Sequence, residues 1–243
     1  MKGLLSFFTV LPVRGASLEE AAREVRLLPL IGLLTGLPGA VLLLAAHIVP
    51  PGVSATLALG AVLLAAGLHH ADGVLDVGDA IMAHGSPDRR RDVLEDTRVG
   101  IGGLGALFVV YAPTVGALAA LCAISPARAA LALLAGEVAA RSAMLLMLAF
   151  GEPADPRSSS VPFVRALSGP HRTPAVVVAL LAPLPFLLAT SALAPLAIFA
   201  APLVAIGALR ISATKFGGIG GDVVGATGEV SRAALLVLLS ATI

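Results

Sequence analysis

Three aspartates, Asp72, Asp76 and Asp79, recur at the i, i+4, i+7 spacing that puts side chains on one face of a helix. His69 extends that face by three residues towards the apolar side, and His70 adjoins it. The long run before them is apolar, and acidic residues kept beside hydrocarbon are costly and mark function by default. Three carboxylates on one stripe also repel one another unless a cation holds them together. Mg2+ takes oxygen ligands of this kind and commonly shares them with substrate phosphates. The stretch from His69 to Ala80 therefore points to metal-assisted phosphate chemistry at a membrane surface. Asp72 and Asp76 are the expected first ligands, with Asp79 beside them.

A second acidic set follows closely. Asp88, Asp92 and Asp96 recur every four residues, with Glu95 adjacent and Arg98 just beyond. Interleaved with Arg89, Arg90 and Arg91, these acids also suit a solvated loop helix laced with ion pairs. Their place on the connection leaving the Asp72–Asp79 helix favours the metal role, with Asp92 or Asp96 completing a site for one or two divalent ions. Two glycine-rich runs add to this. Gly100, Gly102, Gly103 and Gly105 open one apolar segment, and Gly217, Gly218, Gly220 and Gly221 precede Asp222 at the start of another. Helix N-termini offer unpaired N–H groups to anions, and glycine lets a phosphate approach the backbone. Close helix packing is the competing use of such glycines.

Three charges lie within apolar segments: Glu137 and Arg141, one turn apart, and Glu229, seven residues beyond Asp222. The Glu137–Arg141 pair suits mutual neutralisation and a substrate-facing role equally. The run Ser158-Ser159-Ser160 is read as plain polar loop, without a role.

The elements that carry these residues follow from composition. The chain has 243 residues, 58% hydrophobic and 13% charged, where a soluble domain carries roughly a quarter charged residues. It is expected to be an all-α integral membrane protein, a single membrane-embedded catalytic unit. A transmembrane helix needs about 20 apolar residues, and seven segments qualify: 27–49, 53–75, 100–124, 126–150, 174–190, 192–211 and 222–242. The fifth and sixth are short enough to suit a tight or partly re-entrant pair. Residues 1–26 form an interfacial segment, in which Ser17-Leu18-Glu19-Glu20 is a capping-box signature opening a short amphipathic helix. Arginines and lysines crowd the N-terminus and alternate connections, which places the N-terminus and both acidic sets on the cytoplasmic side. The lone Cys122 excludes an intrachain disulfide, and a net charge of +1 gives no footprint for nucleic acid. A homo-oligomer is compatible with the sequence.

At these residues the chain resembles cobalamin synthase, the adenosylcobinamide-GDP ribazoletransferase family of bacteria and archaea. The family pattern His-x-Asp-Gly-x-x-Asp-x-x-Asp is met from His70 to Asp79. Asp92 and Asp96-Thr97-Arg98-Val99-Gly100 follow, and Gly217 to Ala226 matches the family's C-terminal glycine-rich element around Asp222. The opening Phe7 to Pro12 and the stretch Pro29 to Gly32 also look like the family's start. Departures fall at Gly220, where Thr is usual, and at Val10, where Arg is common.

The resemblance implies Mg2+-assisted attack of a ribose hydroxyl of α-ribazole, or of its 5′-phosphate, on the cobinamide-side phosphorus of adenosylcobinamide-GDP. GMP leaves, and adenosylcobalamin or its 5′-phosphate is formed at the cytoplasmic face of the cell membrane. It implies a role for His70, Asp72 and Asp76 in catalysis, His70 or an aspartate taking the proton. It implies substrate contacts from Arg98, Gly100, Gly218, Gly221 and Asp222, with Glu137 and Arg141 as candidates. Two rivals are weighed against it. CDP-alcohol phosphotransferases share an Asp-Gly motif and an Asp-x-x-x-Asp, but Asp76 and the Asp222 element are not theirs. A secondary transporter needs a polar path to both faces, and the outer half here has little beyond His47 and Arg128.

Overall fold

The computed structural model describes residues 1–13 and 15–242, and every regular element among them is a helix, without a β-strand. Two short helices come first, α1 (Lys2–Phe8) and α2 (Leu18–Arg23). The capping box at the start of α2 is complete: the Glu20 N–H donates to the Ser17 hydroxyl at 3.2 Å, and the Ser17 N–H donates to the Glu20 carboxylate at 3.3 Å. Ala21, Ala22, Val25 and Leu28, on the expected apolar face, are buried. The helix nevertheless ends at Arg23 and passes through a 3-10 turn into α3 (Leu28–Leu44).

The bundle continues with α4 (Pro51–Ala65), α5 (His69–Met82) and α6 (Pro87–Leu94). Two long helices follow, α7 (Ile101–Ile124) and α8 (Pro126–Phe150). Then come α9 (Val161–Ala166), α10 (Arg172–Leu181) with α11 (Leu184–Thr190), α12 (Ala200–Lys215) and α13 (Gly221–Thr242). Six segments are long and apolar enough to cross a membrane, and the bent pair α4–α5 is a seventh candidate. The fifth and sixth are longer than their apolar runs suggest. Flanking 3-10 turns extend them to Gly169–Thr190 and Ala194–Lys215, 22 residues each. Helix α8 is the axis. It packs against α3, α7, α10, α11, α12 and α13 and is buried on every side. A helix apolar all round finds its place in such an interior.

One expected span is corrected. Residues 53–75 are not one helix: α4 stops at Ala65, and α5 leaves at 96° to it. The break is local. Gly67 has φ +77° and Leu68 has φ 63°, both left-handed, which glycine tolerates and an ordinary residue adopts at a cost. The Val10 N–H donates to the carbonyl of Ala65 at 3.0 Å, so α4 returns the chain to the N-terminal segment from which α3 departs. The bend turns α5 out of line with α4 and packs it across the first turns of α7 and α13. The aspartate helix is thus a separate element, aimed by the bend.

Candidate active site

Helix α5 and the start of α13 meet through a glycine. A side chain on Gly73 would have its Cβ 2.7 Å from the carbonyl oxygen of Asp222, so only glycine lets the first turn of α13 lie on α5. This contact brings Asp222 to the aspartate stripe. Asp72 is exposed and Asp76 and Asp222 are half-buried. None of the three is paired with a Lys, Arg or His among the described residues. Burial, then the charges of Asp72, Asp222 and Asp79, push the Asp76 carboxyl up from 3.8 to about 6. The carboxylates crowd without a counter-ion, the electrostatic condition in which a divalent cation binds. Among the described residues, no three His, Cys, Asp or Glu side chains converge closely enough to hold a metal by themselves. A metal held here would need further ligands, as Mg2+ does when it binds through one or two carboxylates and substrate phosphates.

Asp79 has a different occupation. Its two oxygens accept the N–H groups of Gly100 at 2.7 Å and Gly103 at 2.8 Å, so it caps the N-terminus of α7. Gly100 accordingly gives its N–H to Asp79 rather than to an incoming phosphate. The second acidic set is likewise turned to its own arginines. Asp88 pairs with Arg91, Asp92 lies 3.9 Å from Arg89, and Asp96 binds Arg98 at 2.7 Å. Hydrogen bonds from Arg98 hold the Asp96 carboxyl down at about 2. The structure therefore does not bring Asp92 or Asp96 to Asp72 and Asp76. Arg98, its side chain 87% exposed, lies at the surface. The loop-helix alternative suits this segment, because Asp88 and Asp96 are each bound to an arginine close in sequence. The arginines that turn inward have a positional use. Arg90 donates to the carbonyls of Ala80 and Ile81 at 2.8 and 2.7 Å, satisfying the end of α5, and Arg91 donates to the carbonyl of Phe216 at 2.8 Å.

Two cavities open beside the carboxylates. The first, of about 420 Å³, is walled by Phe7, Phe8, Phe163, His69 and His70. The second, of about 490 Å³, is lined by Arg91, Glu95, Arg157, Gly218 and Gly220. They share one wall: Ser159, Gly221 and Asp222. Gly221 and Asp222, expected from the glycine-rich motif to meet a ligand, line both cavities. Gly218 lines the second cavity too, but its free side is filled by the backbone of Glu152 and Ala154. The serine run, given no role from sequence, supplies Ser159 to the wall. No local signal marks it, because the contact comes from the 152–160 connection folding against α13.

Glu137 and Arg141 are interior residues, 0% and 1% exposed, which suits the mutual-neutralisation alternative. They belong to a network spanning five helices. Arg232 donates to Glu137 at 2.8 Å and also binds Glu229. Thr35 donates to Glu137 at 3.0 Å, and Tyr111 donates to Glu229 at 2.9 Å. Two glutamates and two arginines balance, as charges buried this deeply require. Arg232 escaped the sequence reading, although its place three residues after Glu229 in an apolar run is a visible signal. The network reaches the site at one point: Arg141 Nη1 lies 2.9 Å from His70 Nδ1. Burial, then the charge of Arg141, holds the His70 imidazole well below its usual pKa.

With the site in view, comparison with known proteins is informative. The family described as Cobalamin-5-phosphate synthase matches residues 1–240. The chain is similar to proteins named adenosylcobinamide-GDP ribazoletransferase. That of Azorhizobium caulinodans is 34% identical, covering 96% of this chain and 92% of that one. For Pyrobaculum aerophilum the identity is 35%, with 98% and 94% covered. For Methanosarcina barkeri it is 30%, with 98% and 90% covered. No solved structure matches.

Proposed function

Because the chain belongs to the Cobalamin-5-phosphate synthase family, we propose that it is an adenosylcobinamide-GDP ribazoletransferase, a multi-pass membrane enzyme that joins adenosylcobinamide-GDP to α-ribazole or its 5′-phosphate. The observation that carries this reading is the wall at Gly221 and Asp222, where two cavities meet beside carboxylates that lack a counter-ion.

In the reaction a ribose hydroxyl oxygen of α-ribazole forms a bond to the cobinamide-side phosphorus. The bond from that phosphorus to the bridging oxygen breaks, and GMP leaves with the electron pair. One or two of Asp72, Asp76 and Asp222 would hold Mg2+, which when bound neutralises charge developing on the diphosphate. An aspartate of this group that does not hold the ion takes the hydroxyl proton, since none of the three is paired with a Lys, Arg or His among the described residues. His70 contributes as a hydrogen-bond donor. Arg141 only donates, so Nδ1 must accept and the ring's proton sits on Nε2. The glycine-rich turn before α13 keeps the approach to Asp222 open, because Gly221 meets nothing closer than the Ser159 hydroxyl.

The same reading places the site on the cytoplasmic side. The connections that converge on it contain Arg89, Arg90, Arg91, Arg98 and Arg157, and positively charged connections stay inside. The deciding experiment supplies purified, lipid-reconstituted protein with adenosylcobinamide-GDP, α-ribazole and Mg2+. GMP and a cobalamin product should appear together. Absence of both, with the protein folded, overturns the proposal.

A further inference from the structure

Both substrates of the proposed reaction carry a planar base, and the two cavities differ sharply in what they offer one. We propose that the first cavity is the subsite for the benzimidazole base of α-ribazole, and that the second takes the guanosine diphosphate end of the other substrate. The assignment rests on the transferase reading above.

Three phenylalanines wall the first cavity. Phe7 and Phe8 have ring centroids 4.9 Å apart at an interplanar angle of 77°, and Phe163 lies 5.6 and 5.9 Å from them, tilted. The rings meet at edges and angles, so they do not consume one another's faces by parallel stacking. Phe7 is 41% exposed although it is a large apolar side chain beside a cavity. No lysine or arginine lines this space. A phosphate would find no lysine or arginine here. The benzimidazole ring is uncharged and has no exocyclic donor or acceptor, so it suits aromatic walls and needs no cation. The hydroxyls of Ser159 and Ser160 and the Asp222 carboxylate stand at one side, where the ribose of such a ligand would need them.

The second cavity has the opposite character. Arg91 and Arg157 line it, bound to Asp88 and Asp155, and Glu95 adds a carboxylate. Guanidinium groups recognise phosphate oxygens, and a carboxylate accepts from the N–H edge of guanine. The shared wall of Ser159, Gly221 and Asp222 then becomes the meeting place of the two reacting atoms: the hydroxyl arrives from one side and the phosphorus from the other. Discrimination between the two nucleosides is built from aromatic surface in one cavity and charge in the other.

The chain contains no tryptophan, so Phe7→Trp places a single indole in the wall of the first cavity. Titration of this variant with α-ribazole alone should quench its emission, while GDP and GMP should leave it unchanged. Quenching by GDP without an effect of α-ribazole overturns the assignment. A kinetic split gives a second test. Phe7→Ala should raise KM for α-ribazole about tenfold, as expected for one lost stacked ring, and leave KM for adenosylcobinamide-GDP unchanged. Arg157→Gln should do the reverse. Equal rises in both constants, or the opposite pattern, overturn the subsite assignment while the enzyme still makes cobalamin. A wild-type protein that makes none fails the transferase reading itself.

Discussion

Arg141 Nη1 and His70 Nδ1 lie 2.9 Å apart, joining the buried charge network of the bundle to the wall of the first cavity. The pairing decides the tautomer of His70, because guanidinium has donors and no acceptor. It also separates two roles that the sequence leaves open, proton acceptor and hydrogen-bond donor.

If His70 acts by donating from Nε2, a glutamine, whose amide nitrogen reaches a similar position, should keep part of its function. His70→Gln should stay within about tenfold of wild-type kcat/KM, whereas His70→Ala should lose about 100-fold or more, the loss typical of one donor aimed at developing charge. Equal loss in both variants would identify a general base instead.

The raised pKa of Asp76 gives a pH-dependent prediction. Its carboxyl titrates near 6 in the folded protein against 3.8 ordinarily, so the folded state penalises the ionised form. The penalty is absent below about pH 4 and fully present above about pH 6. Asp76→Asn should therefore raise the melting temperature at pH 7.5 in the presence of a chelator, and should do so little at pH 4. It should also abolish the upward shift that Mg2+ gives the wild type. Cys122, the sole cysteine and buried, lets a thiol-reactive dye follow these melts.

Asp79 should behave unlike its neighbours on the stripe. Removing the cap of α7 by Asp79→Ala should cost about 1–2 kcal/mol of stability, with the Mg2+ concentration for half-maximal activity unchanged. Asp72→Asn should show the converse, normal melting with collapsed activity and lost Mg2+ dependence. A changed Mg2+ requirement in Asp79→Ala, with unchanged melting, would return Asp79 to the ligand set.

The balanced quartet predicts a compensating pair. Arg232→Met leaves Glu137 and Glu229 without their shared cation and should destabilise by about 3–5 kcal/mol, the usual cost of breaking a buried ion pair. Adding Glu229→Gln should recover part of that loss. Additive destabilisation in the double variant would show that the two side chains do not act through one another.

Topology is tested by labelling. A cysteine at Ser86, on the connection beside α6, should react with an impermeant reagent only from the cytoplasmic side, and one at Ser191 only from outside. The opposite pattern would reverse the placement of the site.

Which residues belong to the chemistry was legible along the chain to the extent that local pattern carries it. Seven apolar segments and the Asp72–Asp79 stripe follow from hydrophobicity and from the helical repeat, and both depend only on near neighbours in sequence. The capping box at Ser17 and Glu20 is likewise complete within four residues. What each polar residue does was decided by its partners across the fold. Hydropathy does not register the 96° bend after Ala65, since the residues on both sides are apolar and two left-handed torsions alone create it. Asp79 looks like Asp72 until Gly100 and Gly103 present their N–H groups to it. Glu137 and Arg141 become interior residues only when Arg232, more than 90 positions away, balances them. Ser159 joins the site because the 152–160 connection folds against α13. Pairing of charge and closure of a cavity are properties of groups distant in sequence and adjacent in space, so the tertiary structure had to supply them.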